Sequence, residues 1–183
     1  MNVFIKGNAM PKILENIKEK AISEARAEML EEGYRTMTVR RVAGKLGIGV
    51  GTLYNYFPSK EYLAASVMLE DWQEEIRAVR EEPKPESAEE MLRRLFVLVQ
   101  TFTGRYQKTW IQYEEQGKSE SMRHQYHSVL VGQLRAFIEA ALPDTAEPWL
   151  ASFLAELVLR FASDGHSGYE AIGEAACKLI KQE

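Results

Sequence analysis

A single cysteine, Cys177, stands in the 183 residues. No intramolecular disulfide can form, and a cysteine-rich metal site is excluded. Long apolar runs are absent too. The longest, Leu95–Val99, is far short of the roughly 20 residues that span a bilayer. Residues 1–10 lack the apolar stretch and small-residue cleavage site of a secretory leader. No alternating Val/Ile/Thr run lies between turn residues, so no strand is predicted. Together these features predict a cytoplasmic chain with no membrane partner and an all-α fold.

What is present supports a packed core: 45% of residues are apolar and 27% charged. The net charge of −4 argues against nucleic acid at first sight, but it is unevenly spread. Residues 1–65 hold ten Lys/Arg against seven Asp/Glu, a net +3; residues 66–183 hold thirteen against twenty, a net −7. A basic front joined to an acidic body directs the search for a nucleic-acid element to the amino terminus.

Apolar spacing and punctuation divide the chain into helices. The first is predicted from Pro11, with Ile13, Leu14, Ile17, Ala21, Ala25 and Met29 on one face, ending at Gly33. Thr38 caps a second, carrying Val39, Val42, Ala43 and Leu46 and ending at Gly47. A short third covers Val50–Tyr56 and stops before Pro58. Ser59 caps a fourth that runs to about Glu81. Pro83-Lys84-Pro85 is the clearest break. Amphipathic segments follow at 87–116, with a bend near Thr103-Gly104, then at 119–141, 146–164 and 168–182.

The informative stretch is TVRRVAGKLGIGVGTLYNYFPSK, from Thr38 to Lys60. It reads as a capped helix, a glycine-containing turn and a second short helix. That is a helix-turn-helix, whose second helix enters the major groove of DNA. Ala43 is small where the helices cross, Gly47 sits at the turn, and Ile48, Leu53 and Phe57 fill the space between them. Glycines at 49 and 51 leave little side chain at the front of the second helix.

This pattern, continued as GTLYNYFPSKEYL, resembles the signature of the tetracycline-repressor (TetR) family of bacterial transcriptional regulators, over about residues 11–65. The resemblance implies a homodimer that binds double-stranded DNA, and a repressor released from a palindromic operator by a small-molecule effector. It implies a three-helix DNA-binding domain at 1–58. A helical effector-binding and dimerisation domain follows at 59–183, with helix four (about 59–81) connecting the two. Carried over by position, Thr38 caps and touches phosphate, and Arg40 reaches a base edge, favouring guanine. Val50, Gly51 and Thr52 form the leading turn of the recognition helix. Tyr54 and Tyr56 meet phosphate or thymine methyls, Asn55 is a candidate for adenine, and Lys60 clamps phosphate. The chain departs from the family at Gly49, where a capping serine is usual, and at Val50, where a polar or basic residue is common. It departs again at Arg40-Arg41, a pair that replaces an acidic residue often found there.

In the body, Phe96, Phe102, Tyr106, Trp110, Tyr113 and Tyr126, with Met91 and Met122, are candidates to line an effector cavity of a few hundred cubic ångströms, or are plain core. Glu114, Arg105 and His127 are candidates to orient a polar group. Trp149, Phe153, Leu154, Leu157, Val158 and Phe161 make one apolar stripe; Ile172, Ala175, Ala176, Leu179 and Ile180 make another. From these, Phe153, Leu157, Phe161, Ile172, Ala176 and Leu179 are predicted at the dimer interface, the alternative being an intramolecular core. Glu120, His124 and His127 have metal-ligand residue types, but no third-ligand geometry or cofactor is predicted. Asp164, His166 and Ser167 contain triad residue types crowded into one short loop, which is poor geometry for a relay. Cys177 is predicted to be a small buried hydrophobe. Two readings compete with the effector-responsive repressor: a helical metal-assisted hydrolase, and a DNA-binding regulator without a small-molecule effector. The chain is not predicted to be an enzyme.

Overall fold

A computed structural model describes residues 16–114, 119–165 and 167–181; the side chains of 113–114 and 119–125 are outside the description. Among the described residues the fold is all-α. The helices are α1 (Ile17–Glu31), α2 (Val39–Lys45), α3 (Val50–Tyr56), α4 (Lys60–Glu81), α5 (Ala88–Arg105), α6 (Gln107–Glu114), α7 (Ser119–Ala141), α8 (Leu150–Ser163) and α9 (Glu170–Ile180). The predicted start of the first helix at Pro11, with Ile13 and Leu14, lies outside the described residues.

Local chemistry sets the helix ends. Thr38 Oγ1 accepts from the Arg41 amide at 3.1 Å and caps α2. Ser59 Oγ accepts from the Tyr62 amide at 3.0 Å and caps α4, and Ser87 caps α5 in the same way. Each satisfies an amide that the first turn leaves without a partner. The chain leaves α1 through Gly33 at φ 89° and α2 through Gly47 at φ 66°, a region costly for residues with a Cβ.

The first three helices form one unit. Ala21, Ala25 and Met29 of α1, Val42 and Ala43 of α2, and Leu53 and Phe57 at α3 are all buried. The α4 helix, about 33 Å long by its residue count, packs against both α1 and α5. It therefore belongs to both halves. In the body, α8 lies against α5 and α7, and α9 covers α5 and α8.

The segment 87–116 does bend, but at Tyr106 rather than Thr103-Gly104. Thr103 stays helical, its hydroxyl donating to the Val99 carbonyl at 2.8 Å. Tyr106 leaves helical geometry at φ −102°, ψ 10°, and its hydroxyl is buried against Asp71. The last two helices start later than predicted, at Leu150 and Glu170. Residues 143–150 instead form tight turns, Ala146 donating to the Pro143 carbonyl and Leu150 to that of Glu147.

Candidate nucleic-acid interface

The α3 helix has two unlike sides. Leu53 and, just past its end, Phe57 are fully buried, and Val50 packs partly against the same core. Gly51, Thr52, Tyr54, Asn55 and Tyr56 face outward. The tyrosines remain 48% and 45% exposed, far above what a core role would leave. A Cβ at Gly51 would meet nothing within 4 Å, so the surface is open there. Arg40 is exposed on α2, and Thr38, half-buried, is occupied in capping. Among these outward positions of α3 none carries a charge.

Lys60 sits in the first turn of α4. Its Nζ donates to the Arg35 carbonyl at 3.2 Å and stands 4.1 Å above the centre of the Tyr34 ring. The ammonium is thus held in place beside the helix-turn-helix, where a capped helix start also favours anions.

The remaining cations of α2 have another task. Glu24, Glu28 and Glu32 recur every four residues along α1 and its C-cap; Arg41 and Lys45 recur likewise on α2. Glu28 is 1% exposed and lies 3.4 Å from Arg41 Nε and 3.3 Å from Lys45 Nζ. Arg41 also reaches Glu32 at 2.8 Å, and Lys45 reaches Glu24 at 2.6 Å. The hydrogen bonds to Glu32 and Glu24 raise the Arg41 and Lys45 pKa values, and that from Arg41 lowers Glu32's. These two cations clip α2 to α1, which residue-by-residue reading missed. The signal was available in the matching four-residue spacings.

A second polar cluster joins the α1–α3 unit to the body. Asp71 of α4, 3% exposed, accepts from Arg26 of α1 at 2.6 Å and from the Tyr106 hydroxyl; Arg105 lies 3.5 Å away. Burial first, and then the hydrogen bond to Asp71, push the Tyr106 phenol far above its ordinary pKa.

The predicted effector residues separate into groups. Phe102, Trp110 and Tyr126 line an apolar crevice with Met68, Leu69, Trp72, Val129 and Leu130. Its volume is about 20 Å³, room for about one water, against the few hundred cubic ångströms expected. Phe96 is elsewhere, edge-on to Tyr169 with centroids 5.8 Å apart. Tyr106 points to Asp71, Met91 is buried in the core, and Arg105 pairs with Glu75 at 2.6 Å. His127 is exposed on α7, its Nε2 3.1 Å from Glu156 of α8. The side chains of Tyr113, Glu114, Met122, Glu120 and His124 lie outside the described residues, as does His166. Ser167 folds onto Asp164, which accepts from both its amide and its hydroxyl.

The two predicted dimer stripes also differ. At α8, the N-cap Trp149 and Phe153 are largely exposed and pack edge to face at 5.7 Å, with Leu157 and Phe161 partly exposed. On α9, Leu179 is partly exposed, but Ile172 and Ala176 are buried against the chain's own core. Within one chain these two side chains already have apolar neighbours, so Leu179 carries more of the exposed apolar surface of α9. Cys177 is half-buried rather than buried, and burial raises its thiol pKa. Among the described residues no helix is long and apolar enough to cross a membrane.

Residues 21–67 match the family model described as bacterial regulatory proteins, tetR family. No curated protein matches the sequence significantly. Solved structures share the fold. The protein SCO7518 from Streptomyces coelicolor A3(2) aligns with a TM-score of 0.62 at 16% identity, covering 90% of this chain and 98% of its own. Salmonella enterica GusR aligns at 0.60 and 16% identity, covering 93% and 99%. A TetR transcriptional regulator from Legionella pneumophila aligns at 0.56 and 16% identity, covering 92% and 100%.

Proposed function

From the match of residues 21–67 to the family model described as bacterial regulatory proteins, tetR family, we propose that this chain is a DNA-binding regulator that acts as a homodimeric repressor. It holds a palindromic operator until a small-molecule effector releases it. The observation that carries the reading is the outward face of α3, with Thr52, Tyr54, Asn55 and Tyr56 in solvent while Leu53 and Phe57 anchor the helix. Thr52 and the tyrosines offer methyl and ring contacts, Asn55 has the two-pronged amide that fits adenine, and Arg40 has the fork that fits guanine. Lys60 and Thr38 supply phosphate contacts that fix register. Two copies reading one groove face need recognition helices about 34–36 Å apart. The exposed Trp149–Phe153 edge of α8, with Leu157 and Phe161, supports pairing of two chains through that helix.

The effector enters where α4, α5, α6 and α7 meet, among Trp72, Phe102, Trp110 and Tyr126. The lining is apolar and aromatic, which suits a ligand that is mostly hydrocarbon. A crevice of about 20 Å³ must widen to admit it. That same small volume favours the second reading, a regulator with no small-molecule effector.

Selection of bound duplexes from a random pool tests the central claim. A two-fold symmetric site with half-sites one turn apart is the expected outcome; unselective binding or none overturns it. A thermal-shift screen of apolar compounds, followed by operator release, separates the effector reading from its rival.

A further inference from the structure

The turn between α1 and α2 is held from two directions. Its geometry is closed internally, Thr36 Oγ1 donating to the Gly33 carbonyl at 2.8 Å. From the body, the Gln112 side chain of α6 reaches in, and its Oε1 accepts from the Arg35 amide at 2.8 Å. The same side-chain amide lies over Gly33: a Cβ there would fall 3.3 Å from Gln112 Nε2. From α4, Lys60 Nζ donates to the Arg35 carbonyl at 3.2 Å. One residue thus has its N–H held by α6 and its C=O held by the lysine that the proposed function assigns to phosphate.

We propose that Gln112 is a positioning residue for DNA binding: by holding the Arg35 amide it fixes the carbonyl and ring against which the Lys60 ammonium is posed. The inference rests on the proposed function, because it requires Lys60 to meet phosphate. Physically, a lysine is a point charge on a flexible four-carbon stem. Left to itself it samples many rotamers and loses entropy when it clamps an anion. A fixed carbonyl acceptor and the Tyr34 face restrict that stem before DNA arrives. Their position depends on the turn, and Gln112 is the hold on it from the body. Gln112 itself touches no DNA in this arrangement; it acts through Arg35.

The test uses the full chain and a duplex carrying the selected site, with affinity measured across a salt series. Lys60→Met removes the ammonium, and is expected to lower the salt slope by about one unit. Gln112→Met keeps length and removes the acceptor. It is expected to weaken binding by about two- to tenfold, the cost of ordering on binding a side chain that was held beforehand. In the Lys60→Met background the Gln112→Met change should then have almost no effect, because its route is gone. Independent losses that simply add, or a silent Gln112→Met, overturn the inference. Amide exchange at Arg35 in the free protein gives a readout that needs no DNA. Gln112→Met should speed it, and Gln112→Glu, which still accepts, should keep it slow. Equal exchange in all three proteins would remove the premise. If Lys60→Met lowers the slope while Gln112→Met does nothing, only this inference fails. If wild-type protein binds no duplex, the proposed function fails instead.

Discussion

Arg26 Nε meets Asp71 Oδ1 at 2.6 Å and ties α1 to α4 across 45 positions of sequence. Arg26 also donates to Glu70 at 2.6 Å, so its guanidinium spans two neighbouring carboxylates. Asp71 is the more buried partner, and its second oxygen takes the Tyr106 hydroxyl. A buried carboxylate persists only when such donors replace its water. Three parts of the molecule, the α1–α3 unit, the long α4 helix and the α5–α6 corner, therefore share one acidic group.

Asp71→Ala is expected to destabilise the protein by about 3 kcal/mol, the low end for breaking a buried pair when one partner still reaches water. It strands the Tyr106 hydroxyl as well as removing the α1 contact. Glu70→Ala, at the more exposed neighbour, should cost less than about 1 kcal/mol. Chemical denaturation of the two variants checks the contrast, and equal losses would mean that Asp71 is not the hub.

High pH should expose a second dependence. Burial, with smaller contributions from Cys177 and Glu89, raises the Tyr169 phenol to about 12, and Tyr106 is raised further in the same direction. In the unfolded chain both phenols ionise near the ordinary value of about 10. Above that pH the unfolded chain has lost protons that the folded chain keeps, so stability falls as pH rises. The stabilisation is complete below about pH 10, and Tyr169's share is lost by about pH 12. Each group contributes a slope of at most about 1.4 kcal/mol per pH unit. Tyr169→Phe should flatten urea midpoints between pH 10 and 12 without abolishing the decline, because Tyr106 still titrates. An unchanged slope would place Tyr169 in water.

Much of this was legible in the sequence because the signals were local. Thr38 and Ser59 were readable as caps, Gly33 and Gly47 as exits, and Leu53 and Phe57 as the anchored side of a short helix. Each depends only on neighbours within about four residues. What escaped reading depends on distant partners. Asp71 looks like an ordinary helix-surface acid until Arg26 and Tyr106 are brought to it. Gln112 carries no charge and no motif, yet it crosses 77 positions to Arg35. The aromatic set divides for a related reason. Phe96 and Phe102 share a helix face by spacing, but α9 covers one with Tyr169 while α4 meets the other with Trp72. On α9, Ile172 and Ala176 are apolar enough for an interface and are buried within the chain. Composition does not say which chain an apolar face will meet.

The α8 edge gives a clean test of self-association. Phe153 is 43% exposed, so Phe153→Asp leaves the single-chain core nearly intact. Surface changes of this kind usually alter stability by less than about 0.5 kcal/mol. If two chains meet on this edge, the variant buries a charge with no partner, and sedimentation equilibrium should show dissociation at concentrations where wild type is dimeric. Leu157→Arg should act alike. A dimer unaffected by both changes would mean the chains meet elsewhere.

Arg40 and Arg41 are adjacent, yet they should fail differently. Arg40 is exposed on α2; Arg41 is spent on Glu28 and Glu32. Arg40→Ala should relax preference at one base position, at a cost of about 1–3 kcal/mol in binding, and leave folding unchanged. Arg41→Ala should leave base preference and salt slope intact while lowering thermal stability, because Glu28 then faces Lys45 alone. Glu28→Gln supplies the control. It removes the buried charge that Arg41 neutralises, so Arg41→Ala should cost less stability in that background than in wild type. A salt slope that falls by about one unit in Arg41→Ala would show that its guanidinium leaves the acidic ladder for a phosphate when DNA binds. The +3 charge of the amino-terminal third would then be available to DNA. If the slope stays put, two of its cations, Arg41 and Lys45, are committed to α1. The interface would then rely on Arg40, Lys60 and the uncharged face of α3.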